Sequence, residues 1–251
     1  MTTHIVYGAE GRPFVKRVPY LSYEEELKQD VLSLESLCFS DTDFESYNSF
    51  LNEWAQLLLN AIILFKSGYF DCAYYSLRQA IELAIVVLYF HDGNNSPREE
   101  ILSRWSNKQK FPSASRILDE LKIQTKYKDI VAHLPNLFGE LSSFQKQLHK
   151  IVHKQGYFYL YTIQNHPLII PNKTQREFII NFEEYFRKTL KQIIIIRLLI
   201  DPIPIILADS NIRKTKLYMS DSLSSSLIDR YLGETFIVNY KKTKFYNQYV
   251  E

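Results

Sequence analysis

A mostly α-helical bundle with an antiparallel helical hairpin at its core is the fold class this sequence predicts, and three observations predict it. Only seven glycines and nine prolines occur in 251 residues, few for a protein made of strands and tight turns. Apolar residues recur at steps of three and four over long stretches, the period of helices that bury one face. Two such stretches, starting near Phe50 and Asp71, are separated only by a short turn containing Gly68, which sends the second helix back along the first. A chain of this length can bury a substantial core without covalent staples.

The elements follow in order. Met1 to Tyr20, with Gly8, Gly11, Pro13 and Pro19 among alternating apolar residues, reads as a short extended N-terminal arm or small hairpin. Ser22-Tyr23-Glu24-Glu25 has the capping-box pattern, with Ser22 as N-cap, and predicts a helix from about Tyr23 to Leu37, followed by a connection over Asp41 to Tyr47. Phe50, Trp54, Leu57, Leu58, Ala61, Leu64 and Phe65 form the apolar face of the first strong helix, with Gly68 as its C-terminal stop. Asp71 is placed to cap the next helix, whose buried face is Ala73, Leu77, Ala80, Ile81, Ala84 and Leu88 and which runs to Phe90.

His91 to Ser96 is a loop by composition, and Ser96-Pro97 with Glu99 and Glu100 opens a short helix. A second short helix is expected from Ser113 to Lys122. Pro135 opens a longer one with the face Leu137, Leu141, Phe144, Leu148, Ile151 and Val152, ending before Gly156. Tyr157 to Ile163 fits a short strand or a packed loop equally well. Thr174-Gln175-Arg176-Glu177 is a second capping box, leading a helix to about Ile200 that Asp201-Pro202 stops. A helix from Ser222 to Leu232, stopped by Gly233, and a tail complete the chain. The corresponding division is an N-terminal arm and helix over residues 1–48, a helical bundle over 49–208 and an irregular C-terminal extension over 209–251.

Composition removes several function classes. Thirty basic against 28 acidic residues leave a net charge of +2, so nucleic-acid contact would have to be local. The apolar run Ile193 to Leu207 is interrupted by Arg197, Asp201, Pro202 and Pro204, well short of the ~20 residues of a membrane span, and reads as a core helix and its exit. Cys38 and Cys72 stand alone, and no charged, apolar and small-residue leader is visible, which predicts a reducing cytoplasm. There is no Gly-x-Gly-x-x-Gly, no phosphate-cradling lysine after a Gly-rich loop and no Gly-x-Ser-x-Gly, so no cofactor is expected.

Two polar strips remain. At about 100° per residue, Asp71, Tyr75, Arg78 and Glu82 share one edge of their helix. Ser142, Gln145, His149 and His153 share another on the Pro135 helix, surrounded by Lys146, Lys150 and Lys154. The bland reading is an Arg78–Glu82 pair at i, i+4 worth about 0.2 to 0.5 kcal/mol, in the weaker orientation, beside hydrogen-bonded structural histidines. The chemical reading is a cation, Arg78 or Lys146, that stabilises developing phosphate charge, with His153 moving a proton near neutral pH. Such a site would cleave RNA without metal, using the 2′-hydroxyl as nucleophile. The His149 and His153 pair has no third ligand and no following Glu, so no metal is expected. A small-ligand pocket on the same strips is a further alternative. Lys241, Lys242 and Lys244, interleaved with Phe245 and Tyr246, and the stretch Arg213 to Tyr218 are candidate nucleic-acid contacts, although the aromatic residues would serve equally to tuck the tail onto the body or a partner.

SGYFDCAYYSLRQAIELAIVVLYF, followed at a distance by LSSFQKQLHKIVHKQG, resembles the HEPN superfamily over roughly Phe50 to Gly156. In that family a helical hairpin packs on a later helix bearing an Arg and, after four to six intervening residues, a His. Many members are ribonucleases of toxin or phage-defence systems, often dimeric, and others are inactive binding modules. The resemblance makes His153 the motif histidine and Arg78 and Glu82 its supporting partners. The motif arginine is absent: Leu148, Gln147 and Lys146 occupy its allowed positions, and Lys146 lacks the planar fork of arginine. The resemblance thus implies an RNA-binding component of a bacterial defence or toxin-type system, with metal-independent ribonuclease activity at His153, Arg78, Glu82, Lys146 and His149 and RNA contacts at Lys150 and Lys154. The alternative is a non-catalytic interaction subunit that docks on a partner protein or forms a homodimer.

Overall fold

A computed structural model of the chain describes residues 21–34, 45–92, 98–107, 111–155, 175–208 and 222–250. The described residues form eleven helices and no strand: α1 (Glu24–Leu32), α2 (Glu45–Lys66), α3 (Phe70–Asp92), α4 (Arg98–Ser106), α5 (Ala114–Lys122), α6 (Thr125–His133), α7 (Leu137–Val152), α8 (Gln175–Ile200), α9 (Ile203–Ala208), α10 (Ser222–Tyr240) and α11 (Lys244–Asn247). The N-terminal arm, the Tyr157 to Ile163 stretch and the Arg213 to Tyr218 stretch lie outside the described residues.

The α2–α3 hairpin forms as its turn chemistry requires. Gly68 adopts a φ of 88°, a left-handed conformation that costs a glycine little. Its amide donates to the Phe65 carbonyl at 3.0 Å while Tyr69 donates to Leu64 at 2.9 Å, satisfying two carbonyls that the end of α2 would leave unpaired. α3 is the central helix. It packs against α2, α7, α8 and α5, and its buried residues extend beyond the predicted face to Ile85, Val87, Tyr89 and Phe90.

An aromatic ladder ties these helices together. Phe65 of α2 stacks on Phe182 of α8 at 3.9 Å, Tyr74 of α3 meets Phe182 and Tyr185 edge-on, and Phe144 of α7 stacks on Tyr185 at 5.8 Å. Such ring pairs add about 0.5 to 1.5 kcal/mol beyond their burial. At the far end of the hairpin, Trp105 lies edge-on to Phe50 and Phe90 and seats α4 on α2 and α3. α8 is apolar nearly all round from Ile193 to Ile200, yet it carries the fully buried Arg197. Arg197 donates to Asp201 Oδ2 at 2.7 Å, and Asp201 Oδ1 accepts from the Ile203 amide at 2.9 Å, so the Asp201-Pro202 stop also starts α9.

Several local expectations need correction. Tyr23, not Ser22, is the N-cap of α1, and no side chain caps it locally. The Tyr23 amide instead donates to Glu183 of α8 at 3.1 Å, a tertiary partner that local pattern cannot reveal. Asp71 lies within the first turn of α3 rather than at its cap. α7 starts at Leu137, two residues after Pro135. α6 was not predicted at all: it is short and buries only Tyr127 and Ile130, too few positions for a periodic pattern. Gly233 does break α10, with φ 72° and ψ 162°, but helical geometry resumes and continues to Tyr240. α10 packs on α6, α8 and α9, and the Tyr240 hydroxyl donates to the Leu198 carbonyl at 2.6 Å.

Candidate functional site

α7 runs antiparallel to the start of α3, because Lys154, just past its C-terminus, pairs with Asp71 in the first turn of α3. Buried Leu141, Phe144, Leu148 and Ile151 fix the rotation of α7 and thereby turn His149 and His153 toward the seam. His153 is the C-cap of α7, and its amide donates to the His149 carbonyl at 3.0 Å. The next residue, Lys154, takes φ 52°, the one non-glycine residue with positive φ among the described residues. Its amide donates to Ile151 at 3.2 Å and Gln155 donates to Lys150 at 3.0 Å, the same closing pattern that Gly68 provides for α2. A left-handed lysine costs about 1 to 2 kcal/mol, offset here by closure of the helix end.

Arg78 joins the two strips. Its Nε donates to Glu82 Oε1 at 2.8 Å, and its Nη1 lies 2.8 Å from His153 Nε2. A guanidinium has donors and no acceptor, so Nε2 must accept this bond. With Nε2 as the acceptor in this contact, the ring N–H falls on Nδ1. The His149 ring lies 4.2 Å from that of His153. Loss of hydration, then the nearby His153 and Arg78, hold His149 below the usual histidine range, with Glu82 opposing them. The Arg78 side chain is 17% exposed and that of Glu82 30%, whereas His149 and His153 are exposed, so a shielded ion pair supports imidazoles that face solvent.

The structure thus brings Arg78, Glu82, His149 and His153 together, with Asp71 and Lys154 beside them. Lys146 and Lys150 are exposed on α7. Lys146 precedes His153 by two helical turns, about 10 Å along the axis. The C-terminal lysines are placed elsewhere. α11 packs on α6, where the Lys244 amide donates to Asp129 Oδ2 at 2.7 Å and Lys242 reaches Asn239 at 3.1 Å; Lys241 is half-buried. Phe245 and Tyr246 are buried against the body, where their rings are closed to base stacking. Among the described residues no three His, Cys, Asp or Glu side chains gather as a metal site, and no helix is long and apolar enough to cross a membrane.

Sequence reasoning missed two polar joints. At the end of α3, Asp92 accepts from His91 Nδ1 at 2.9 Å, from Lys126 Nζ at 2.8 Å and from the Tyr127 hydroxyl, while its carbonyl accepts from Gln124 at 2.8 Å. Burial alone would raise the Asp92 carboxyl, but His91 and Lys126 outweigh it and hold it below the usual carboxylate range. The Lys126 ammonium sits 4.0 Å from the centre of the Phe245 ring, which fastens α11 to this joint. The second joint is the buried Asp30 of α1, which receives the Tyr231 hydroxyl at 2.6 Å and Arg230, both from α10. Residues so distant in sequence leave no local signature.

Compared with known proteins, the chain matches no family model, no curated protein and no solved structure.

Proposed function

We propose that this protein is a HEPN-like RNA-binding component of a bacterial defence or toxin-type system, and that it cleaves RNA without metal at the α3–α7 seam. The observation that carries this reading is the Arg78 to His153 bond at 2.8 Å, a cation from one helix held on an exposed imidazole of another. The motif arginine missing from α7 has a spatial substitute in Arg78 of α3. In the proposed step, His153 Nε2 exchanges its bond to Arg78 for the proton of an RNA 2′-hydroxyl. The 2′-oxygen attacks the adjacent phosphorus, the bond to the 5′-oxygen breaks, and that oxygen leaves protonated by solvent or a neighbouring acid. The products are a 2′,3′-cyclic phosphate and a 5′-hydroxyl. Arg78, already aligned by Glu82, follows the charge onto the phosphate, and Lys146, Lys150 and Lys154 line the strand's approach.

The test is degradation of RNA by the purified chain in excess chelator. Cleavage to 2′,3′-cyclic ends that His153→Ala abolishes, with the helical circular dichroism unchanged, supports the reading. Chelator-sensitive cleavage, or an unaffected His153→Ala, sinks the mechanism.

A second reading has its own observation. Glu82 matches the charge of Arg78 and Asp71 that of Lys154, leaving the resting seam internally paired. This favours a non-catalytic interaction subunit that docks on a partner protein or on a second copy. Light scattering discriminates, since a monomer that recovers no partner and cleaves RNA argues against it.

A further inference from the structure

Tyr74 and Tyr75 are neighbours on α3 with opposite surroundings. Tyr74 is 7% exposed and meets Phe182 and Tyr185 of α8 edge-on, which fixes the rotation of α3. The next residue is turned by about 100°, and Tyr75 is left 52% exposed. Two contacts between α3 and the end of α7 bracket it. Asp71, four residues before Tyr75, pairs with Lys154, and Arg78, three residues after it, bonds His153. Helical positions three and four apart have Cβ atoms about 5 to 6 Å from one another, so Tyr75 borders both contacts at the mouth of the seam. Three other exposed tyrosine and tryptophan rings are engaged: Tyr23 faces the Arg187 guanidinium, Trp105 meets Phe50 and Phe90, and Tyr249 meets Phe245. Only the exposed rings of Tyr69, in the hairpin turn, and Tyr75 have no ring or cation contact among the described residues, and Tyr75 alone lies between the two seam contacts.

Resting on the RNA chemistry proposed above for Arg78 and His153, we infer that Tyr75 stacks on a base next to the scissile phosphate, which makes single-stranded RNA the substrate of the seam. An unpaired base has aromatic faces to bury, and sites that hold single strands supply rings for the bases beside cations for the phosphates. Here the cation is Arg78, and the ring is one turn away, about 4.5 Å along the helix axis. That spacing places the ring at a nucleotide adjoining the bound phosphate. In a duplex each base is already paired and stacked within the A-form helix, so its faces are closed to Tyr75. Every base has a π-face, so stacking of this kind selects the state of the strand rather than its sequence. Tyr75 is a positioning residue: by holding the base it sets the neighbouring phosphate against Arg78 and the 2′-hydroxyl against His153.

The probe is a short RNA with fluorine in place of each 2′-hydroxyl, which lacks the nucleophile, so that fluorescence anisotropy with the full chain, in chelator at fixed salt, reads binding without cleavage. The parent is expected to bind the single strand at least about tenfold tighter than the same sequence in a duplex. Tyr75→Ala is expected to lose at least about fivefold on the single strand, the lower end of the effect of one base on one ring, while Tyr75→Phe keeps the parent affinity. Replacing one nucleotide at a time by an abasic site locates the stacked base. At that position the parent loses at least about fivefold and Tyr75→Ala loses nothing more, a non-additivity that a merely structural ring does not produce. The stacking role is overturned by a parent that binds duplex as tightly as single strand, or by abasic losses that add to that of Tyr75→Ala at every position. Weakening by Arg78→Ala without weakening by Tyr75→Ala overturns it and leaves the RNA reading of the seam standing, whereas a parent that binds neither form of RNA overturns both.

Discussion

Lys154 offers the sharpest test of how α7 ends, and therefore of where His153 sits. With φ 52°, the residue is in the left-handed region, while its ammonium pairs with Asp71. Two substitutions separate these contributions. Lys154→Ala removes the ion pair and keeps a Cβ in the unfavourable conformation; Lys154→Gly removes both. The ion pair is a surface contact, with Asp71 58% exposed, and is worth about 0 to 1 kcal/mol to either variant. The backbone contribution differs between them. A left-handed alanine costs about 1 to 2 kcal/mol, against a penalty of about 0.4 to 1 kcal/mol for the looser unfolded chain of glycine. Glycine is thus expected to be the more stable variant by about 1 kcal/mol, or about 2 to 4 °C in Tm for a chain of this size. The sign is diagnostic, because in a helix interior alanine is favoured over glycine by about 1 kcal/mol. Urea denaturation of the two variants measures the difference, and an alanine variant as stable as the glycine variant, or more so, would mean that α7 continues through residue 154 and that the His153 geometry described above is wrong.

Three further outcomes follow from the same packing. Arg197→Met strands Asp201, only 6% exposed, without its cation, and is expected to cost about 3 to 5 kcal/mol in denaturant unfolding; a loss below 1 kcal/mol contradicts the buried pairing. Phe65→Ala empties the stacked position against Phe182 and is expected to cost about 3 to 5 kcal/mol, measured the same way, whereas Ile63→Ala, at a position 59% exposed, stays within about 0.5 kcal/mol. Burial and the neighbouring charges hold His149 below its unfolded value, so its contribution to stability is present above the unfolded pKa of about 6.5 and is lost as pH falls from there through the lower folded value. A pH series of melting temperatures checks this: His149→Ala should flatten the acid limb, and an unchanged limb rules the assignment out.

The helices that could be read from the sequence are those whose own apolar period decides their burial. α2, α3, α7 and α8 each carry enough turns for the pattern to emerge, and Gly68 marked the hairpin because a left-handed turn residue is a local requirement. α6 and the resumed half of α10 were hidden because their order comes from distant partners: Asp92 and Phe245 hold Lys126, and the Leu198 carbonyl holds Tyr240. Capping failed for the same reason at α1, where Glu183 of α8 takes the place given to Ser22. At the seam, the wheel positions were sufficient to pair Arg78 and Glu82 with His149 and His153. They did not reveal that Arg78 donates directly to His153, nor that Lys154 pays a backbone cost to close α7 beside it. The basic and aromatic tail was legible only as composition, and composition does not say that Phe245 and Tyr246 point inward.

In the proposed function Arg78 and His153 act on RNA as one unit, and a double-mutant cycle in binding tests this directly. The affinity of a single-stranded RNA is measured in chelator at fixed salt for the parent, Arg78→Ala, His153→Ala and the double variant. The predicted result is a loss of about 1 to 3 kcal/mol for Arg78→Ala, a smaller loss for His153→Ala, and a double variant little worse than Arg78→Ala, giving a coupling of at least about 0.5 kcal/mol. Strictly additive losses, or RNA binding indifferent to both substitutions, would contradict it.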